Sequence, residues 1–190
     1  GSAQGGDERP GAQPTEQQKP AAEQAQPAGE TSSAFAAFEA RVEAAARDPR
    51  LTAKLFVEAM IRHPKDAAMS RAMATLLVVD DDLVDDPQSP SGRDFSPGRR
   101  YIYDQLEPRA YLLSEYLDQP EVIDQADLTA HIVIDDDYKA IGKGVDEAAG
   151  TAKFYIKVFN DKGTRPRPIA LERRDGAWKV VEYSSLFVGT

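Results

Sequence analysis

Residues 151–190, TAKFYIKVFNDKGTRPRPIALERRDGAWKVVEYSSLFVGT, constrain the fold more than any other stretch. Ala152, Phe154, Ile156 and Val158 alternate with Lys153, Tyr155, Lys157 and Phe159, the two-residue period of a strand. Asn160-Asp161-Lys162-Gly163 supplies turn chemistry, and Ile169 to Arg173 starts a second strand. Asp175-Gly176 predicts a tight hairpin, because a type I′ turn needs positive φ and this pair tolerates it. Trp178, Val180 and Glu182 then alternate with Ala177, Lys179, Val181 and Tyr183. Three antiparallel strands with an apolar face need something to cover that face.

The cover is upstream. Thr31-Ser32-Ser33 suits a helix cap, and Phe35, Phe38, Val42 and Ala45 follow at helical spacing. Asp48-Pro49 ends that helix. Leu51, Leu55, Phe56, Ala59 and Met60 form a second stripe reaching about Arg62. Pro64 is placed to open a third helix, with Met69, Ala72, Met73, Leu76 and Leu77 as its apolar face. Asp80 to Asp86, followed by Pro87, Pro90, Gly92, Pro97 and Gly98, reads as a long acidic loop over 80–98. Arg99 to Leu106 predicts a short helix with Tyr101, Ile102 and Leu106 inward, while 108–117 stays open between helix and ordered loop. Leu128, Ala130, Ile132 and Ile134 alternate with Thr129, His131 and Val133, which predicts a fourth strand ended by Asp135-Asp136-Asp137. Residues 138–150 then connect to the C-terminal strands. The expected class is α+β, with N-terminal amphipathic helices packed on a C-terminal four-stranded antiparallel sheet. That element order is the one found in cystatin-like and nuclear-transport-factor-like folds.

Residues 1–32 contain no Val, Ile, Leu, Met or aromatic residue. Such a stretch cannot bury enough apolar surface to offset its conformational entropy. It is expected to be a disordered Ala/Gln/Pro-rich tether, with 33–190 as a single domain. Gly1-Ser2 looks like a cleavage scar. The expectation is a domain held at a cell envelope through an upstream signal or anchor, with a cytoplasmic location as the alternative.

The formal net charge is −9, unevenly spread: residues 151–190 carry +4 and the remainder −13. The acidic balance argues against nucleic acid as a partner, since that binding neutralises phosphates with Lys and Arg. The basic C-terminal part can attract an acidic partner or the acidic part of its own chain. The absence of cysteine excludes disulfides, thiol catalysis and cysteine-based zinc sites.

Pro166-Arg167-Pro168-Ile169, Leu171, Trp178 and Glu182-Tyr183-Ser184-Ser185-Leu186 resemble the end of a family of small uncharacterised bacterial domains, which close on PRPI-x-L, a tryptophan strand and EYSSL. Leu55 to Met60, Tyr103 to Leu106 and Tyr111-Leu112 extend the resemblance upstream, over 52–190, with 80–98 as an insertion. The resemblance implies a bacterial source and a compact α+β domain of unknown function, and it carries no catalytic role.

The residues themselves suggest binding more than catalysis. Lys153, Tyr155, Lys157, Arg165 and Arg167 form the expected docking surface, extended by Glu182 and Tyr183 at the end of the last strand. The expected partner is a protein or small ligand, acidic in character. Pro166 and Pro168 lack N–H donors and must sit at a strand start, an edge or a bulge. Arg167, held between them, grips a carboxylate of a ligand or of the chain itself, with Glu182 as the internal candidate. Trp178 reads as core packing rather than a ligand platform. His131 is a general base in a sheet-lined pocket or simply a satisfied strand side chain. Asp80, Asp82 and Asp85 offer oxygen ligands but lack the glycine and closing glutamate of a calcium loop. Neither histidine has metal spacing, Gly142-Lys143-Gly144 is not a phosphate loop, and no G-x-S-x-G occurs. No cofactor or metal is expected. The leading expectation is a non-enzymatic binding domain. The alternatives are a small enzyme with a cavity between sheet and helices, or a structural accessory of an envelope or secretion assembly.

Overall fold

The computed structural model describes residues 1–2 and 28–188. The tether expected at the N-terminus lies largely outside them. Helix α1 spans Ala28–Ala44, α2 Pro49–Ile61 and α3 Ala67–Thr75. A hairpin follows, β1 Leu83–Asp85 with β2 Arg93–Phe95, and then α4, Pro97–Asp104. After a run of 3₁₀ turns, β3 Gly144–Asp146, β4 Thr151–Ile156, β5 Arg167–Arg174 and β6 Ala177–Glu182 form one antiparallel sheet in sequential order. The α+β class and the helices-then-sheet order hold.

Local chemistry sets the helix ends. Asp48 caps α2 by accepting from the Leu51 N–H at 3.1 Å, with Pro49 in the first turn. Helix α3 is capped by Asp66, which accepts from Met69 N–H at 3.0 Å. The expected start at Pro64 is therefore corrected, because the side chain that satisfies the free amide comes two residues later. Thr31 to Ser33 lie inside α1 rather than capping it. Phe35, Phe38, Ala45, Leu55, Phe56, Ala59, Met60, Met69, Ala72, Met73 and Leu77 are all buried. Helix α2 carries this core onto the inner face of the sheet, where Phe56 meets Tyr183 with ring centroids 5.0 Å apart.

The sheet confirms the hairpin chemistry and corrects the strand count's membership. Asp175 and Gly176 have φ of 52° and 80°, the type I′ pair. The expected strand over 128–134 is instead a 3₁₀ turn, Thr129–His131, followed by single bridges from Ile132 to Leu117 and from Ile134 to Ile156. Ala130 is exposed, so its alternation was not a buried face. Gly144–Asp146, placed in a connection by its glycines, is the fourth strand. The outer edge of β6 is closed off: Val180 N–H donates to Leu77 C=O at 2.7 Å, and Val79 N–H donates to Val180 C=O at 3.1 Å.

The acidic loop is also corrected. Three arginines offset its charge: Arg93 lies 3.3 Å from both Asp80 and Asp85, Arg99 3.1 Å from Asp82, and Arg174 3.6 Å from Asp81. With repulsion offset, the stretch pairs as β1–β2. On α4 the inward tyrosine is Tyr103, fully buried, whereas Tyr101 is 69% exposed. Tyr103 and Leu106, one turn apart, form the buried stripe.

Among the described residues the buried side-chain polar atoms are matched except Arg93 Nε. Glu58, fully buried on α2, accepts two bonds from Arg41, at 2.7 and 2.9 Å, and one from Leu128 N–H at 2.5 Å. Arg62 donates to the carbonyls of Ile123 and Ala126 at 2.9 and 3.1 Å. This clasp ties the irregular 123–128 segment to α1 and α2, and engages the first amide of the expected strand, Leu128 N–H.

Candidate functional site

The C-terminal sheet has two unlike faces, and register assigns each candidate to one of them. Paired residues share a face. Ala152, Phe154 and Ile156 are buried, opposite Leu171, Ile169 and Arg167. Lys153 and Tyr155 sit on the outer face, opposite Ala170 and Pro168. Arg167, opposite Ile156, therefore belongs to the inner side at the sheet's end, away from Lys153 and Tyr155.

Strand β6 carries an irregularity that moves the remaining candidates. Leu171 pairs with Val180, yet Ala170 pairs with Glu182, so Val181 is an extra residue in a β-bulge. The expected alternation placed Glu182 with Trp178 and Val180. The bulge reverses it: Glu182 is exposed on the outer face and Tyr183 is buried inside. The Arg167–Glu182 pair is thus corrected, because the two residues lie on opposite faces. Tyr183 is likewise removed from the docking surface. Its phenol donates to Asp82 at 3.3 Å, and burial pushes its pKa well above the ordinary tyrosine range.

Pro168 also follows from register. The Tyr155 C=O accepts from Asp135 N–H at 2.8 Å, so this residue bonds away from β5. Tyr155 and Pro168 are then a non-hydrogen-bonded pair. The missing proline N–H points to the side where β6 would lie, beyond the last pair, Ala170 with Glu182.

The outer face holds a shallow groove of about 560 Å³ across all four strands. Gly144, Thr151 and Ala170 make a low floor. Lys153 and Glu182 stand on either side of Ala170, each one strand away. Lys153 reaches over the Tyr155 ring at 5.6 Å, and Tyr155 packs against Tyr138 at 4.9 Å. Lys157 is exposed just past β4 with its ammonium 5.2 Å from the Phe159 ring, and Arg165 is exposed in the loop before β5. The structure thus brings Lys153, Tyr155 and Glu182 to one face, adds Tyr138 and Lys143 to its rim, and leaves Arg167 and Tyr183 behind it. No periodic signal marks Tyr138, because it reaches Tyr155 only through the turn after Asp135. Lys179 shares the outer parity, but it donates to Leu76 C=O at 2.8 Å and burial lowers its pKa.

The sheet–helix interface, where an enzyme reading needs a cavity, is filled by Phe56, Leu171, Val180 and Tyr183. His131 lies outside it, in a 3₁₀ turn, with Nδ1 2.8 Å from Asp118. His63 is buried against the Tyr103 ring, centroids 5.8 Å apart. Trp178 is core, capped by Arg173 at 5.4 Å. Asp80, Asp82 and Asp85 are each engaged by arginine, and among the described residues no cluster of three His, Cys, Asp or Glu is arranged around a metal position. No helix among them is long and apolar enough to cross a membrane.

Fold and surface together define a small α+β domain whose helices cover one sheet face and leave the other open. A family model described as "Domain of unknown function (DUF6935)" matches residues 31–190. The chain belongs to that family. No curated protein and no solved structure matches the chain.

Proposed function

We propose that this is a non-enzymatic bacterial binding domain that docks a protein partner on the outer face of its C-terminal sheet. The observation that carries the reading is the asymmetry of that sheet. One face is filled by the core, while the other presents Lys153 and Glu182 on either side of a small-residue floor, with Tyr155 and Tyr138 next to Lys153. A half-exposed aromatic pair beside an ammonium is the composition of an interface anchor. The Ala/Gln/Pro-rich composition of the N-terminal segment is that of a spacer, which in this reading leaves the sheet face open to a partner. The helices-then-meander order of cystatin-like and nuclear-transport-factor-like folds is compatible with it, since such folds host many functions.

A photo-crosslinking amino acid at Tyr155, compared with one at exposed Tyr111, tests the reading in cells that make the protein. A defined protein adduct at 155 that is absent at 111, and lost on Lys153→Glu, is the expected result. The same adducts at both positions, or none at 155, would remove the outer face as a docking surface.

A further inference from the structure

A second concavity, of about 460 Å³, opens between the β1–β2 hairpin and α4, on a part of the molecule distinct from the sheet groove. Its walls are of two kinds. Val84, Phe95, Pro97 and Tyr101 give it an apolar side. Two of these are left in solvent, Val84 at 42% and Tyr101 at 69% exposure. Folding has not used these apolar surfaces, and they meet at one cleft.

Four carboxylates and the Arg100 guanidinium form the other wall, and the bonding state of the acids separates shape from function. Asp94, at the base, is committed. It lies 3.0 Å from Arg71 and 3.6 Å from Arg100, and it accepts from the Phe95 N–H at 2.8 Å. It holds the hairpin against α3 and α4. Asp85, Asp86 and Asp104 are not committed in this way. Asp85 is 3.3 Å from Arg93 Nε, but that buried nitrogen makes no hydrogen bond, so the carboxylate is out of line with it. Asp86 accepts one bond, from Gln88 N–H at 2.9 Å. Asp104 stands 3.8–3.9 Å from Arg100 and Arg71, beyond hydrogen-bond length. Three acids with unused lone pairs therefore rim an apolar slot.

We infer that this cleft receives a lysine or arginine side chain from a basic segment of a partner protein. A long cationic side chain has an apolar stem and a charged tip. The stem would lie along Val84 and the face of Tyr101, where the cation also gains from the ring. The tip would reach Asp85, Asp86 and Asp104 in charge-assisted hydrogen bonds. The field suits the same occupant, because the chain outside residues 151–190 carries −13 and steers cations inward. This site is independent of the sheet face, and either can fail without the other.

The test is a ¹H–¹⁵N correlation titration of the full chain, at low ionic strength, with a short glycine–lysine peptide and its lysine-acetylated twin. The expected result is saturable shifts confined to amides of β1, β2 and α4, absent with the acetylated peptide. Tyr101→Ala should weaken binding about fivefold, and the double variant Asp86→Asn/Asp104→Asn about tenfold or more. Tyr101 is exposed, so its spectrum elsewhere should be unchanged, which separates lost binding from lost folding. Shifts spread evenly over the acidic surface, equal binding of the acetylated peptide, no shifts, or indifference to Tyr101→Ala would each overturn the inference. Cleft shifts in the free chain that vanish on dilution would overturn it as well, by making a second copy the occupant.

Discussion

The two faces of the C-terminal sheet are built from the same strands and do opposite things. Inside, Phe154, Ile156, Ile169, Leu171, Trp178, Val180 and Tyr183 are buried. Outside, Lys153, Tyr155, Ala170 and Glu182 stay at least partly in solvent. Side-chain parity separates them, and one extra residue, Val181, reassigns parity at the end of β6. A bulge decides here which of two adjacent residues, a glutamate or a tyrosine, enters the core.

The largest expected effect comes from overriding that device. Inserting one alanine after Val181 would give Ala170 a new partner and turn Glu182 inward and Tyr183 outward. An unpaired buried carboxylate together with a lost aromatic should cost at least about 4 kcal/mol. Urea unfolding should then find no stable native baseline, whereas deleting Val181, which straightens the strand and leaves both faces as they are, should be far milder. Equal losses in the two variants would mean that parity at this strand end does not set the faces. Next comes a matched pair. Phe56→Ala, which empties the inner contact with Tyr183, should cost about 3–5 kcal/mol, while Tyr155→Ala on the outer face should cost under about 1 kcal/mol. Equal losses in chemical denaturation would contradict the division. Tyr183→Phe keeps the inner packing and removes only the phenol's bond to Asp82, so a loss of about 1–2 kcal/mol is expected.

The smallest effect is a pH dependence from inside. Burial lowers the pKa of His63, with Asp104 and Glu107 opposing it. A base whose folded pKa is depressed is held neutral by the native state. Its contribution is present above the ordinary histidine value of about 6.5 and is lost as pH falls through the folded value. Thermal melts should therefore fall on acidification below that point, and His63→Gln should flatten that part of the profile. An unchanged slope in the variant would assign it to other groups.

Much of the interior was legible beforehand. The stripes of α1 to α3 and the alternation of β4 and β5 follow helix and strand periods, and the Asp-Gly turn follows backbone sterics. Legibility stopped where pairing depends on distant residues. The alternation at 128–134 imitated a strand, but Glu58, on another element, claimed the Leu128 amide. The acids over 80–86 imitated a solvated loop until arginines from β2, α4 and β5 met them. Of the candidate site, the shared face of Lys153 and Tyr155 is legible, because they are two residues apart on one strand. The faces of Arg167 and Tyr183 are not, because they depend on cross-strand register and on the bulge.

The sequence by itself determined which segments are amphipathic, where the sharp turns fall and how charge divides along the chain, since each is fixed by residues within a few positions of one another. Only the tertiary structure decided which strand is fourth, which side Glu182 and Tyr183 take, and that an acidic stretch folds into one wall of a cleft. Those outcomes rest on hydrogen bonds and ion pairs between residues tens of positions apart, such as Arg41 with Asp127 or Tyr183 with Asp82, and no local period records them.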